Sequence, residues 1–400
     1  MKILHTSDWH IGHSFHGRRR DEEFSAFLKW LSRTIRERKI ELLLISGDVF
    51  DTSAPGNAAV RMYYDFLNSL RGTSCRNVVI TGGNHDSPSF LNAPRELLRS
   101  GFGIYVFGGA MKDPADELVV IEDPSGSPAC LIGAMPYLRD SDLISASFGE
   151  TPDSHETRLR NAFREHCRIL GEAAELKRGP LPIPFIMMGH FYLAGAHLGN
   201  DDGVREYVGG LARADLDLLP ANLDYAALGH LHQPQEVGSG KFRYCGSPLK
   251  MSFSDTDRRV VFELDFSGRD FTVTELEVPH FISILSLHGT WDEILPELTE
   301  AAESPDPVYC RVIVSDLSGS ELLHRTETLF RGRMKNFPLI LQSEKLDEVG
   351  SAAGKVIDVE ELSESDVFEL LLKRKNISDN DMPLLRSLYQ KAMTEYFEKE

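Results

Sequence analysis

Five short polar clusters, each at the end of an apolar run, constrain the possible folds of this chain more than any other feature. In order they read Asp8-Trp9-His10, Gly47-Asp48-Val49-Phe50-Asp51, Gly83-Asn84-His85-Asp86, Gly189-His190 and Gly229-His230-Leu231-His232. The runs before them (3–6, 42–46, 78–81, 184–188 and 225–228) have the length and aliphatic content of buried strands. Between the first of these strands lie helical patterns at 23–38, 57–70 and 90–98, so the expected class is α/β with layered sheets and helices. Loops beyond strand carboxyl ends are where layered α/β proteins build sites. The glycines allow the sharp turns that aim the next side chain back over a strand end.

Further strands are expected at 118–121, 130–132, 242–245, 260–264 and 271–276, with a long helix over 155–176. A boundary falls near Pro279-His280. The expected organisation is a first domain over 1–279 and a small α+β domain over 280–343. An acidic linker over 344–364 and a helical pair over 365–400 complete it. The small domain should read strand, helix, strand, helix, strand (281–287, 291–301, 308–314, 322–330, 339–341). In the last helix Leu384, Leu388, Ala392 and Tyr396 recur every four residues as an amphipathic stripe, with Pro383 near its start.

Composition excludes several classes. The chain has 400 residues, 42% hydrophobic and 26% charged, the balance of a globular protein rather than a disordered one. No run approaches the roughly 20 apolar residues of a membrane span, and the apolar start at 1–4 is too short for a signal peptide. The cytoplasm is the expected address. Five scattered cysteines without a C-x-x-C pair argue for reduced thiols rather than a disulfide framework or a sulfur-ligated metal. The net charge of −18 opposes unaided nucleic-acid binding, because phosphate neutralisation supplies most non-specific affinity. Part of the excess lies away from the clusters, since residues 344–369 hold nine acidic and two basic side chains.

The residue types in the five clusters suit one chemistry. Phosphodiester hydrolysis needs an attacking hydroxide, positive charge on the non-bridging oxygens and help for the leaving alkoxide. Two divalent cations about 3.5–4 Å apart supply all three. They require a carboxylate able to bridge and hard oxygen and imidazole ligands around it, a donor set that suits Mn, Fe or Zn. D-x-H or G-H alone is a weak signal; five such clusters in order form a specific one.

The order D-x-H, G-D-x-x-D, G-N-H-D, G-H, G-H-x-H resembles the calcineurin-like metallophosphoesterase superfamily. The wider wording at 5–12, 47–52, 227–232 and Tyr244-Cys245-Gly246-Ser247-Pro248 is similar to the nuclease subunits of its double-strand-break repair branch. The resemblance is strongest over about 1–265. It implies a β-sandwich flanked by helices, a capping domain and a partner-binding helical pair. It also implies that Asp8, His10, Asp48 and His232 hold one metal ion, that Asp48 bridges, and that Asn84, His190 and His230 complete a second. His85 would be a non-ligand imidazole acting on the leaving oxygen, with Asp86 orienting it and Asp51 fixing a ligand histidine. Manganese is the metal the resemblance implies. The implied substrate is DNA, cut exonucleolytically at double-stranded ends and endonucleolytically in single strands or hairpins. The implied partner is an ATPase with an SMC-like coiled coil, joined to a homodimer of this chain in a heterotetramer serving replication, recombination and repair.

Other features have two readings each. His5 within its strand suits a satisfied core histidine better than a site residue. His13, His16, Arg18, Arg19 and Arg20 form either a solvated basic loop or a DNA-backbone contact. The 57–70 and 90–98 helices suit either the core or, by the resemblance, a homodimer contact. The last helix folds back on its own domain or enters a partner's groove. Three rival functions remain. A small-nucleotide phosphodiesterase would keep the metals, whereas a protein phosphatase would want arginines where Thr52 and Gly82-Gly83 stand. A non-catalytic scaffold would have lost a ligand.

Overall fold

The computed structural model describes residues 1–145, 151–197 and 214–345. Two six-stranded sheets form the body of the first unit. In the first sheet Lys2–Thr6, Leu42–Ser46, Asn77–Thr81 and Ile104–Phe107 run parallel, with the hairpin of Val260–Ser267 and Asp270–Glu277 antiparallel beside Lys2–Thr6. In the second, Phe242–Tyr244, Tyr225–Gly229, Phe185–His190 and Pro128–Ala134 are parallel, with antiparallel Gln235–Val237 and Leu118–Glu122 at the edges.

Side-chain alternation along each strand explains the layering. Leu42 and Leu44 meet Ile186, Met188 and Ala227 of the other sheet in a shared core. Leu43 and Ile45 point the other way, onto Phe27, Leu31 and Phe66 of helices Asp21–Arg38 and Asn57–Ser69. On the outer face of the second sheet, Leu131, Phe185 and Met187 pack on Phe163, Cys167 and Leu170 of helix Pro152–Arg178. The result is helix, sheet, sheet, helix: a β-sandwich flanked by helices. Strands buried on both faces read as continuous apolar runs, so Leu42-Leu43-Leu44-Ile45 shows no alternation in the sequence.

Caps set the helix ends. Helix Asp21–Arg38 carries three acidic residues in its first turn and ends on Lys39 in the left-handed region, which complements the dipole and satisfies terminal carbonyls. Thr151 accepts from the Ser154 amide, and proline opens helix Pro152–Arg178. The single helix expected over 90–98 is two, Pro88–Asn92 and Arg95–Phe102; Pro94 between them has no N–H to continue the ladder. Strand Ile104–Phe107 lies between glycines, which hid it in the sequence.

The chain divides into two compact units, Met1–Leu285 with Ser304–Tyr309, and Ser286–Glu303 with the chain from Cys310 onward. The first therefore runs past Pro279. The remaining sheet orders Ser283–Gly289, Val308–Val314 and Ile340–Ser343. Helices Trp291–Glu303 and Gly319–Leu329 accompany it. Ser318 and Glu321 form a capping box at the start of the latter helix. The linker from 346 onward and the C-terminal helical pair lie outside the described residues. Among the described residues no helix is long and apolar enough to cross a membrane, and all five cysteines are buried free thiols.

Candidate metal centre

The strand order brings all five clusters to one end of the sandwich. Asp8 follows Lys2–Thr6, Asp48 follows Leu42–Ser46 and Asn84 follows Asn77–Thr81, all from the first sheet. His190 closes Phe185–His190, and His230 and His232 follow Tyr225–Gly229 in the second. Two buried groups able to hold a cation result, Asp8 with His10 and His232, and Asp8 with Asp48 and His190, and a third, more exposed group joins His10, Asp51 and His85. Asp48 Oδ2 lies 3.5 Å from His10 Nε2 and 3.1 Å from His190 Nε2, so this one oxygen reaches both groups. Asn84 Oδ1 lies 3.0 Å from His190 Nε2 and 3.1 Å from His230 Nδ1. The seven expected ligands thus converge.

The backbone is strained to achieve this. Of six non-glycine residues with positive φ among the described residues, four are Asp8, His10, Asp48 and His230. A conformation costing on the order of 1–3 kcal/mol per residue persists only where surroundings enforce it. Here the Asp8 amide donates to Gly47 O at 3.1 Å, the His10 amide to Asp48 O at 2.9 Å, and the His230 amide to Asp8 Oδ1 at 2.9 Å. The loops of the two sheets are therefore tied to each other.

Burial and mutual charge set the ionisation of the donors. Burial pushes Asp8 up to about 6, with the Asp48 charge adding to it against the pull of His190. Burial opposes charge on Asp48 too, but His190, His10 and His85 outweigh it and hold its carboxyl well below the usual range. Burial would lower His190, yet Asp48 and Asp8 raise it to about 9. His230 falls to about 3 through burial and the neighbouring His190, and His232 falls through burial and His10.

The donor set fits divalent cations. His10 Nε2 and His232 Nε2 face each other at 3.2 Å, and the opposite nitrogen of each ring is buried without a hydrogen bond. Ring nitrogens turned on one another beside carboxylates form a donor cluster in need of a positive centre. There is also no room for extra protein atoms. A Cβ on Gly83 would lie 2.1 Å from Asp48 Oδ1, and one on Gly47 would lie 2.1 Å from His190 Nδ1.

The surrounding residues divide into those placed as expected and those placed otherwise. His85 is exposed, its amide donates to Asp48 Oδ1 at 2.9 Å, and its ring stands edge-on to His10 at 4.8 Å. Its Nδ1 meets Asp51 O at 2.8 Å. Asp86 does not orient it: the buried carboxylate instead accepts from the Val49, Phe50 and Gly83 amides at 2.9–3.0 Å. A carboxylate holding three amides is committed to shaping the two loops that carry Asp48 and Asn84. Asp51 Oδ1 lies 3.4 Å from His10 Nδ1, off hydrogen-bond geometry, and 3.0 Å from His13 Nδ1.

Arg20 corrects the reading of Arg18–Arg20 as one DNA-facing loop. It is buried, pairs with Glu23 at 2.6 Å, donates to Lys250 O at 2.7 Å and lies over the Phe15 and Phe24 rings. Arg18 and Arg19 sit on the hairpin of Ser14–Phe15 and Arg18–Arg19. His5 is a buried core histidine, 3.1 Å from the Tyr225 hydroxyl. The sequence reading missed Arg259, buried and paired with Asp255, whose guanidinium donates to His232 O at 2.7 Å. It also missed Tyr137, whose ring lies 6.3 Å from His190 and 6.5 Å from His230. Neither belongs to a local pattern, so no signal in the sequence marks them.

The family described as calcineurin-like phosphoesterase matches residues 1–234. The chain is similar to the SbcD component of the SbcCD nuclease of Escherichia coli strain K12, with 30% identity over 97% of each chain. It is likewise similar to the SbcD components from Rhodobacter capsulatus, at 32% identity over 76% of this chain and 75% of the relative, and Bacillus subtilis, at 34% over 64% and 63%.

Proposed function

The chain belongs to the calcineurin-like phosphoesterase family, and from that premise we propose that it is a metal-dependent DNA nuclease, the SbcD-type component of an SbcCD complex. The observation that carries this reading is the single Asp48 oxygen within reach of both His10 and His190. A carboxylate oxygen so placed could be shared between two cations.

Asp8, His10, Asp48 and His232 would hold one ion, with Asn84, His190, His230 and the shared Asp48 holding the other. Manganese is the proposed metal. Bound there, two ions supply Lewis acidity and a nucleophile from water at neutral pH. The chain's own residues do the rest. Asp51 O accepts from His85 Nδ1–H, which leaves His85 Nε2 as the ring nitrogen able to exchange a proton with substrate. With Nδ1 anchored, His85 Nε2 is the ring nitrogen that would pass a proton to the leaving oxygen. Asp86 keeps the Asp48 and Asn84 loops in register.

The proposed activities are ATP-dependent exonucleolytic cleavage of double-stranded ends and endonucleolytic cleavage of single strands and hairpins. They would require an SbcC-type, SMC-like ATPase and serve replication, recombination and repair. The net charge of −18 favours that dependence, since a chain so acidic gains little affinity for DNA from its own field. A homodimer within a heterotetramer is the proposed assembly, and helix Arg95–Phe102, with Leu97 and Phe102 exposed, offers an apolar surface for it. Sedimentation at micromolar concentration should give a dimer; a monomer would remove that element alone.

The central experiment incubates end-labelled duplex and manganese with the chain or its Asp48→Ala variant, each with and without the ATPase partner. Loss of the shared carboxylate should lower cleavage by at least about 1,000-fold, the several kcal/mol that cation charge stabilisation supplies. Undiminished cleavage by the variant would assign the activity to another protein.

A further inference from the structure

Behind Asp8 runs a line of polar groups that the proposed chemistry does not use. Ser7 Oγ donates to Asp8 Oδ2 and lies 3.2 Å from Cys245 Sγ. Cys245 Sγ lies 3.6 Å from His5 Nε2, and His5 Nδ1 lies 3.1 Å from the Tyr225 hydroxyl. All five residues are fully buried. The line crosses between sheets, because His5, Ser7 and Asp8 belong to strand Lys2–Thr6 and the turn after it, whereas Tyr225 and Cys245 come from the second sheet.

Donor and acceptor rules assign its direction from both ends. An ionised Asp8 only accepts, so the single Ser7 hydroxyl proton goes to it. The Ser7 oxygen is then free to accept from the Cys245 thiol, and the sulfur to accept from His5 Nε2–H. That leaves His5 Nδ1 bare to accept from Tyr225. At the far end, the only hydrogen-bond partner of the Tyr225 hydroxyl among the described residues is His5 Nδ1. Were Nδ1 protonated, the buried phenol proton would go unspent, which costs about 1–3 kcal/mol. The two ends demand the same order.

We propose that Tyr225, His5, Cys245 and Ser7 form a one-way hydrogen-bond relay that orients Asp8 for cation binding, as positioning residues of the metal centre. The inference rests on the two-cation reading above. Asp8 Oδ2 receives the relay while Oδ1 receives the His230 amide at 2.9 Å. Both oxygens are therefore held and the carboxylate plane is fixed, each oxygen keeping a lone pair for an ion. Burial keeps these three groups neutral near pH 7: it lowers His5 to about 3 against a hydrogen bond to the Leu228 carbonyl, and raises the Cys245 thiol and Tyr225 phenol. Cysteine suits the middle position because a thiol is small and apolar enough for the sandwich core yet still donates weakly.

The test titrates the full chain with manganese chloride by calorimetry, comparing wild type with Cys245→Ala, Cys245→Ser and Tyr225→Phe. Outer partners of metal ligands are typically worth about 10- to 100-fold in affinity. Cys245→Ala should weaken at least one of the two manganese equilibria by about that factor, because Asp8 stands in both buried donor groups. The hydroxyl of Cys245→Ser can both donate and accept, so this variant should restore the affinity. Tyr225→Phe removes one remote oxygen and keeps the ring. It should act in the same direction, and it carries the test if the alanine variant fails to fold. In the metal-free protein, the imidazole nitrogen spectrum of His5, assigned by its loss in His5→Gln, should show the Nε2–H tautomer. Wild-type affinity at both sites in Cys245→Ala and Tyr225→Phe, or an Nδ1–H tautomer, would overturn the relay while leaving the metal centre intact. A wild-type chain that takes up no manganese would instead overturn the two-cation reading, and the relay with it.

Discussion

At Gly83 an added Cβ would lie 2.1 Å from Asp48 Oδ1, which the His85 amide holds in place, and 2.4 Å from the Asp48 amide nitrogen. Gly83→Ala should therefore displace the shared carboxylate. We expect cleavage to fall at least about 100-fold, as for a misplacement of about 1 Å at a reacting centre, with the far-UV circular dichroism unchanged. Near-normal activity in this variant would mean that Asp48 tolerates displacement and is not shared. Proton linkage gives a second outcome at this scale. In the metal-free state His190 is raised to about 9 and Asp8 to about 6. At pH 7.5 His190 carries a proton that a cation must displace, while Asp8 is largely ionised already. Manganese uptake should then release at least one proton, since His10 is raised as well, and affinity should fall as pH falls, more steeply below about 6 as Asp8 also protonates. Calorimetry in buffers of different ionisation enthalpy reads this directly; uptake without proton release between pH 6 and 8 would contradict it. The converging polar clusters were legible because each follows an apolar run. Arg259, Tyr137 and the Ser46 carbonyl that meets His190 Nδ1 at 3.0 Å were not, since contacts between remote segments leave no local pattern.

Elements were legible where one force dominated. Leu42–Ser46 and Phe185–His190 are apolar enough that only double-sided burial suits them. Helix 90–98 misled because apolar spacing continued across Pro94, whose missing N–H outweighs periodicity. The hairpin ending in Arg19 and Arg20 shows how neighbouring arginines of one basic run part company. Arg20→Ala leaves Glu23 buried without its partner and should cost about 3–5 kcal/mol in urea unfolding. Arg19 is exposed and its ion pair with Asp21 is worth little to the fold. Arg19→Glu should leave the unfolding midpoint in place, weaken DNA binding and flatten its dependence on salt. DNA binding equal to wild type at every salt concentration would remove the hairpin from the DNA path.

At the scale of the whole molecule, the segment after 343, expected from the sequence to be an acidic linker and a helical pair, makes a separable function testable. A chain truncated after Gly354 should lose the ATPase partner in co-purification yet hydrolyse small phosphodiesters with manganese at the full-length rate. Retained partner binding would place that contact elsewhere. The sequence by itself determined the α/β class, the chain order of the strands and the polar clusters at their ends, from which the family resemblance implied seven metal ligands. It could do so because strand burial and strand-end turns depend on near neighbours, which local composition encodes. Only the tertiary structure decided that Asp48 Oδ2 reaches both donor groups, that Asp86 serves backbone amides rather than His85, and that Arg20 is interior. Those outcomes depend on how two sheets meet over gaps of more than a hundred residues, where a displacement of an ångström decides which atoms share a proton or an ion.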